Sequence, residues 1–210
     1  MSGYTNTAKP SYRKHFLPLE SNPEVFNQLI YDLGVADTLA FCDVLSLDES
    51  DLLALVPRPV HALLLVFPTS EDYETLRAGE NGAQTAYDGH GDSEDALWFK
   101  QTINNACGLY GILHAVANGK AKDHIVEGTL LARLLQQCIP CRPEDRALVL
   151  EDSAELEKVY TAAALQGDTA PPDNAEDEVD FHYICFARSN KSGKLYELDG
   201  DKWGPRMRIC

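Results

Sequence analysis

Apolar and polar positions alternate along the chain in two rhythms, and each predicts a different kind of element. Between Asn22 and Gly34 the apolar residues fall at Val25, Phe26, Leu29, Ile30 and Leu33, the three-and-four spacing of one helical face. Asn22 suits the N-cap, Pro23 the first helical position and Gly34 the stop. A short strand is expected around Phe41 to Leu45, followed by a brief helix from near Asp48 to just before Pro57. VHALLLVF, Val60 to Phe67, is apolar on both faces and rich in β-formers, which predicts a strand buried in mid-sheet. Residues Asn81 to Asp95 are polar and glycine-rich, the pattern of a mobile loop.

The middle of the chain reads as helical. Cys107 to Asn118 ends at Gly119, Thr129 to Gln137 ends before Pro140, and Pro143 to Leu150 follows. A further helix, opened by an Asp152/Glu155 capping box, is expected to run to about Leu165. Gln166 to Asp180 then carries two prolines, a glycine and six acidic residues. A loop of that length in a compact domain more often marks function than accident. FHYICFA (Phe181 to Ala187) and KLYELDG (Lys194 to Gly200) read as two strands joined by a polar turn. Helices and an antiparallel sheet around one core give an α+β class. Residues 1–14 read as a flexible polar tail and 15–210 as one domain.

Composition narrows the functional classes. The 210 residues carry 33 acidic and 18 basic side chains, for a formal charge of -15. Such a surface repels phosphate backbones and favours basic partners, so nucleic acid is not expected. No apolar run approaches the roughly 20 residues that cross a bilayer, and the first residues hold no apolar segment of the secretory kind. The six cysteines, at 42, 107, 138, 141, 185 and 210, are unevenly spaced. That argues for reduced thiols in a cytosolic or nuclear protein. Cys138 and Cys141 alone have metal or redox spacing, and zinc would need a second pair.

The candidate chemistry centres on QTINNACGLYGILHAVANG, Gln101 to Gly119. Cys107 stands where a polar loop becomes a helix, with Leu109, Ile112, Leu113 and Val116 forming an inward stripe. Ala106, Gly108 and Gly111 keep the backbone open to a close neighbour. The first turn of a helix favours negative charge, and a thiolate is the attacking form of cysteine. Taken alone, Cys107 reads better as a small buried core residue. The hairpin changes that weighting. A symmetric turn centred between Asn190 and Lys191 puts His182 directly across from Asp199. Asp199 would fix one imidazole nitrogen and leave the other for a thiol. Gln101, six residues before the cysteine, could donate to a developing oxyanion alongside the Cys107 N–H. His114 reads as a packed structural histidine.

Gln101-Thr-Ile-Asn-Asn-Ala-Cys107-Gly followed by Gly111-Ile-Leu-His114-Ala resembles the signature of the ubiquitin C-terminal hydrolases, cysteine peptidases with a papain-like core. The similarity runs from LPLESNPE through VPRPVHALLLVFP and the acidic loop to FHYICFA and LYELDG, nearly the whole chain. It implies Cys107 as nucleophile, His182 as general base and later acid, Asp199 as its orienter and Gln101 as transition-state stabiliser. It also implies that Leu17, Pro18, Leu19 and Glu20 contact ubiquitin, and that 166–178 is the family's crossover loop, which limits the bulk of the leaving group. The implied reaction releases small adducts or short peptides from ubiquitin's terminal glycine. The implied partner is ubiquitin or a ubiquitin-like protein, met by a monomer with no metal, cofactor, membrane or nucleic acid. The family continues past Leu-Asp-Gly through a helix to a final strand, whereas this chain reads GDKWGPRMRIC. The expectation is therefore a sheet with that helix and strand missing and one edge unpaired. A ubiquitin-binding remnant with impaired catalysis is the alternative.

Overall fold

The computed structural model describes residues 12–82, 85–170, 172, 174–177 and 179–208. Helix α1 (Pro23–Leu33) starts and stops where its sequence dictates. The Asn22 side chain accepts from the Glu24 N–H, and Gly34, at φ 104°, donates its N–H to Ile30 and Tyr31. Only a residue tolerant of the left-handed region closes a helix this way. Residues Phe41 to Leu45 form no strand. The Phe41 N–H and C=O are instead taken by the side chain of Asn27, so its backbone needs no strand partner. Helix α2 (Ser50–Leu53) is a single short turn.

The main sheet joins β2 (Ala62–Pro68), β4 (Phe181–Arg188), β5 (Leu195–Leu198) and β6 (Arg206–Arg208), in that order. Every pairing in it is antiparallel. The expectation of β2 in mid-sheet is corrected: it is an edge strand, paired with β4 alone among the described residues, and Leu65 is 44% exposed. An apolar run reports what covers the two faces of a sheet and says nothing of its two edges. The other edge differs from expectation as well. β6 pairs with β5, and Lys202 and Arg208 close on Glu197.

Strand β1 (Lys14–His15) lies parallel to β3 (Ile103–Asn104). Lys14 pairs with Glu157 at 2.6 Å, and Arg13 with Glu151 and Asp152 at 2.6 Å each. Arg13 and Lys14, within the stretch read as a tail, are thus anchored; residues 1–11 of that stretch lie outside the described residues. The same contacts move the predicted cap. Asp152 is engaged by Arg13 and Ser153 caps α7 (Ala154–Ala164) instead, accepting from the Leu156 N–H.

Helix α4 (Cys107–Ala117) runs through the centre, with all of its residues buried rather than one stripe. On one side it packs on β4 and β2; on the other lies the core shared by α1, α5 (Leu130–Cys138) and α7. A Cβ on Gly111 would sit 3.3 Å from Leu64, so the small residue allows helix and sheet to meet closely. Helix α6 (Pro143–Glu151) contributes Arg146, fully buried, whose guanidinium pairs with Glu94 at 2.6 Å. It also donates to the carbonyls of Trp98, Cys138 and Cys141. No described helix is long and apolar enough to cross a membrane.

Helix α3 (Glu71–Gly82) has no counterpart in the sequence reading. It buries none of its residues, so it lacks the apolar face that periodicity detects. Its start is nonetheless chemically marked: the Ser70 hydroxyl accepts the Tyr73 N–H at 3.2 Å, and Glu71, Asp72 and Glu74 occupy the first turn. The loop expected beyond it is anchored. The Tyr87 N–H reaches Trp203 at 2.8 Å and the Gly91 N–H reaches Ile139 at 2.7 Å. Residues 83 and 84 lie outside the described residues.

Candidate active site

Cys107 opens α4, and Ala106 before it offers no side-chain cap. The first-turn N–H groups therefore retain their attraction for negative charge next to the thiol. Gly108 lets the N-terminal segment lie directly against this turn, since a Cβ there would meet that of Leu19 at 3.0 Å. Cys107 is 8% exposed, and its Sγ lies 3.9 Å from the carbonyl of Phe181. The next residue on that strand is His182.

His182 sits on β4 opposite Phe67 of β2, and its Nε2 is 2.8 Å from Asp199 Oδ1. The contact forms, but not by the expected register. Arg188 pairs with Leu195 and Cys185 with Leu198, which centres the hairpin between Lys191 and Ser192, one residue late. His182 and Asp199 are therefore diagonal rather than directly opposite, still within reach for an imidazole and a carboxylate. The chain leaves β5 after Leu198, and two hydrogen bonds fix Asp199 there. The Trp98 Nε1–H donates to its carbonyl at 2.9 Å, and the Asp201 N–H donates to its Oδ1 at 3.0 Å.

Burial alone would lower the pKa of His182. The hydrogen bonds with Asp199 and Cys107 and the charges of Asp199 and Asp201 outweigh it, and the imidazolium is pushed up to about 10. Burial would raise the Asp199 carboxyl, but the hydrogen bond and charge of His182 hold it below its ordinary range. With Nε2 engaged by Asp199, Nδ1 is the ring nitrogen left for Cys107. A thiol, a proton-holding imidazole and a buried carboxylate thus stand in one line.

Gln101 lies beside this line. Its backbone N–H donates to Gly200 at 2.9 Å, and a Cβ on Gly200 would come within 2.8 Å of the Gln101 Cβ. The glutamine and the aspartate segment are thereby locked together. Its side-chain amide donates one hydrogen to the carbonyl of Ile103 at 3.3 Å and keeps a second. Gln101 Oε1 is buried without a partner. His114 is unlike His182: it is fully buried, and its Nε2 accepts the Phe99 N–H at 2.9 Å. Burial brings it down to about 3, so it stays neutral.

The predicted ubiquitin contacts Leu17, Pro18, Leu19 and Glu20 do not share one environment. Leu17 and Pro18 are half-buried at the surface, while Leu19 is in the core. The Glu20 carboxylate accepts the Thr169 N–H at 2.7 Å. Further along the acidic loop, the side chain of Asn105 donates to the carbonyls of Ala175, at 3.0 Å, and Asp177, at 2.6 Å. Two anchors thus hold the loop, one of them two residues before Cys107; residues 171, 173 and 178 of it lie outside the described residues. Asn105 was missed by the sequence reading, and its signal was faint. It adopts φ 57°, a backbone state that asparagine tolerates better than most residues.

The family model described as ubiquitin carboxyl-terminal hydrolase, family 1, matches residues 16–209. The chain belongs to that family. Members of it are cysteine-type deubiquitinases, and this hydrolase is 38% identical over 199 residues to Ubiquitin carboxyl-terminal hydrolase 3 of Arabidopsis thaliana, an alignment covering 94% of this chain and 81% of the relative. It is also 38% identical to the isozyme L1 of Monodelphis domestica, over 87% of this chain and 78% of that protein. Among solved structures it resembles the UCH37 catalytic domain of Trichinella spiralis bound to ubiquitin vinyl methyl ester. The TM-score is 0.66 and the identity 21%, over 95% of this chain and 79% of that one. At that identity the likeness speaks for the fold, an α+β architecture with an antiparallel sheet flanked by helices.

Cys138 and Cys141 of the hydrolase do not assemble a comparable site. Cys138 is fully buried and burial pushes its thiol up to about 12, while the Cys141 thiol donates to Gln137. No group of three metal-ligating side chains occurs among the described residues. Cys210 lies outside them.

Proposed function

We propose that this hydrolase cleaves small adducts or short peptides from the C-terminal glycine of ubiquitin, with Cys107 as nucleophile. The observation that carries the reading is the 2.8 Å contact from His182 Nε2 to Asp199 Oδ1 beside a cysteine in the first turn of a helix. In the reactive pair the proton of the Cys107 thiol already resides on His182, and the Cys107 sulfur attacks the glycine carbonyl carbon. The oxyanion is met by the Cys107 N–H and by the free amide hydrogen of Gln101. The imidazolium then passes its proton to the leaving amine, the C–N bond breaks, and a thioester remains. Water, losing a proton to His182, attacks the thioester; the carbonyl–sulfur bond breaks and ubiquitin leaves with a free carboxylate. Asp199 holds the ring in orientation throughout without accepting the proton itself.

Supporting the partner assignment are the acidic charge of -15 and relatives whose names state ubiquitin hydrolysis. Leu17 and Pro18 are taken as surface contacts for ubiquitin, with Leu19 and Glu20 setting their position. The loop held by Glu20 and Asn105 acts as the size filter for the leaving group. Turnover of ubiquitin carrying a small C-terminal amide, compared with a folded protein at the same place, tests the reading. Wild type should cleave the first and spare the second. Asn105→Ala should admit bulkier groups, and Cys107→Ala should cleave neither. Hydrolysis that persists in Cys107→Ala would end the account, and an unchanged substrate range in Asn105→Ala would remove the filter.

A further inference from the structure

We propose that Tyr73 is a positioning residue of this active site, its hydroxyl fixing the second carboxylate oxygen of Asp199 while its ring flanks the His182 imidazole. The inference rests on the reading of Cys107, His182 and Asp199 given above and extends it to α3, an element that contributes nothing to the apolar core. The Tyr73 hydroxyl donates to Asp199 Oδ2 at 3.3 Å, on the opposite side of the carboxylate from His182. Its ring lies 6.1 Å from the His182 ring and 4.8 Å, edge-on, from Phe67, the residue paired with His182 across the sheet. Phe67 and Tyr73 together therefore limit the rotation of the imidazole.

A carboxylate with only one oxygen engaged can swing about its Cβ–Cγ bond. Here both are engaged: Oδ1 by His182 and the Asp201 N–H, Oδ2 by Tyr73. One turn further along α3, Arg77 pairs with the Asp201 carboxylate and so holds that second donor in place. Burial and the negative charge of Asp199 raise the Tyr73 hydroxyl well above its ordinary value, which keeps it a donor at every working pH. The charged groups around Asp199 are His182, Asp201, Arg77 and Lys202. None of them competes for the donor role of Tyr73 at Oδ2.

The helix is otherwise fastened to the same part of the chain. Glu80 meets Lys202 at 3.1 Å and Arg206 at 2.7 Å, and Asn81 accepts the Trp203 N–H at 3.2 Å. A helix with no fully buried residue, yet with its polar contacts spent on the segment that starts at Asp199, works as a brace for that residue.

Tyr73→Phe keeps the ring and removes the hydroxyl. It should lower kcat by about tenfold, the value of one hydrogen bond to a charged group, with KM for the ubiquitin amide changed by less than about twofold. In an Asp199→Ala background the same substitution should cost nothing further, because the oxygen it served is gone. A role confined to packing would cost the same in both backgrounds. An independent readout is the downfield imidazole proton shared by His182 and Asp199 in proton NMR, which should broaden in Tyr73→Phe. Equal losses in both backgrounds, or an unchanged proton resonance, would overturn the inference. A wild-type chain without turnover would count against the functional reading instead, and the NMR comparison would still decide the role of Tyr73.

Discussion

His182 packs beside the central helix and His114 lies within it; they are 5% and 0% exposed, yet one holds a proton and the other stays neutral. His182 has a carboxylate on Nε2 and is pushed up to about 10. His114 has a backbone N–H on Nε2, so that nitrogen must be an acceptor, and burial brings it down to about 3. Burial acts in the same direction on both; the group facing Nε2 decides the outcome. One histidine can therefore exchange protons with Cys107, and the other serves only to tie Phe99 to α4.

The comparison can be broken most severely at its charged member. His182→Ala should reduce kcat/KM by about three orders of magnitude or more, while His114→Gln should leave kcat per folded molecule within about threefold. The second variant should instead lose about 1–3 kcal/mol of stability from a disturbed buried hydrogen bond. Paired steady-state kinetics and denaturant melts check both, and matching activity losses would erase the distinction. Asp199→Asn should come next, with a loss of about a hundredfold, because an amide still fills the space but can stabilise the wrong tautomer. Loss as complete as in His182→Ala would mean that Asp199 does more than orient.

The smallest effect is in stability against pH, and its sign differs between the two residues. His182 has a folded pKa above its unfolded one. Its contribution is full below about 6.5, the unfolded value, and is lost as pH rises towards about 10. His114 has a folded pKa below its unfolded one. Its contribution is full above about 6.5 and is lost as pH falls towards about 3. Asp199, lowered in the fold, adds to the acid loss below about 4. Melting temperatures across this range should show His182→Ala flattening the alkaline decline and His114→Gln flattening the acid one. Exchanged slopes would refute the assignment of charge.

How much of this could be read from the sequence depended on which force held each part. Helix α1 was legible because caps and apolar spacing agree, and α4 because a polar loop gives way to small and apolar residues ending at Gly119. The nearness of His182 to Asp199 was legible from hairpin symmetry, although the turn shifted the register and left the pair diagonal. Helix α3 was not legible, since it is held by ion pairs and side-chain hydrogen bonds to residues more than a hundred positions away. Tyr73 went unread for that reason, and the loop anchor on Asn105 because the partners of its side chain lie 70 and 72 positions further along the chain. The edge position of β2 was hidden too, because its residues are apolar on both faces whichever strands lie beside it.

The most direct test of the central claim is the intact mass of the protein after exposure to ubiquitin carrying an electrophile at its C-terminus, with Cys107→Ala treated in parallel. A nucleophilic Cys107 supported by His182 and Asp199 predicts the addition of one ubiquitin to the wild-type chain and none to the variant. An unmodified wild-type chain, or an adduct that survives Cys107→Ala, would contradict it.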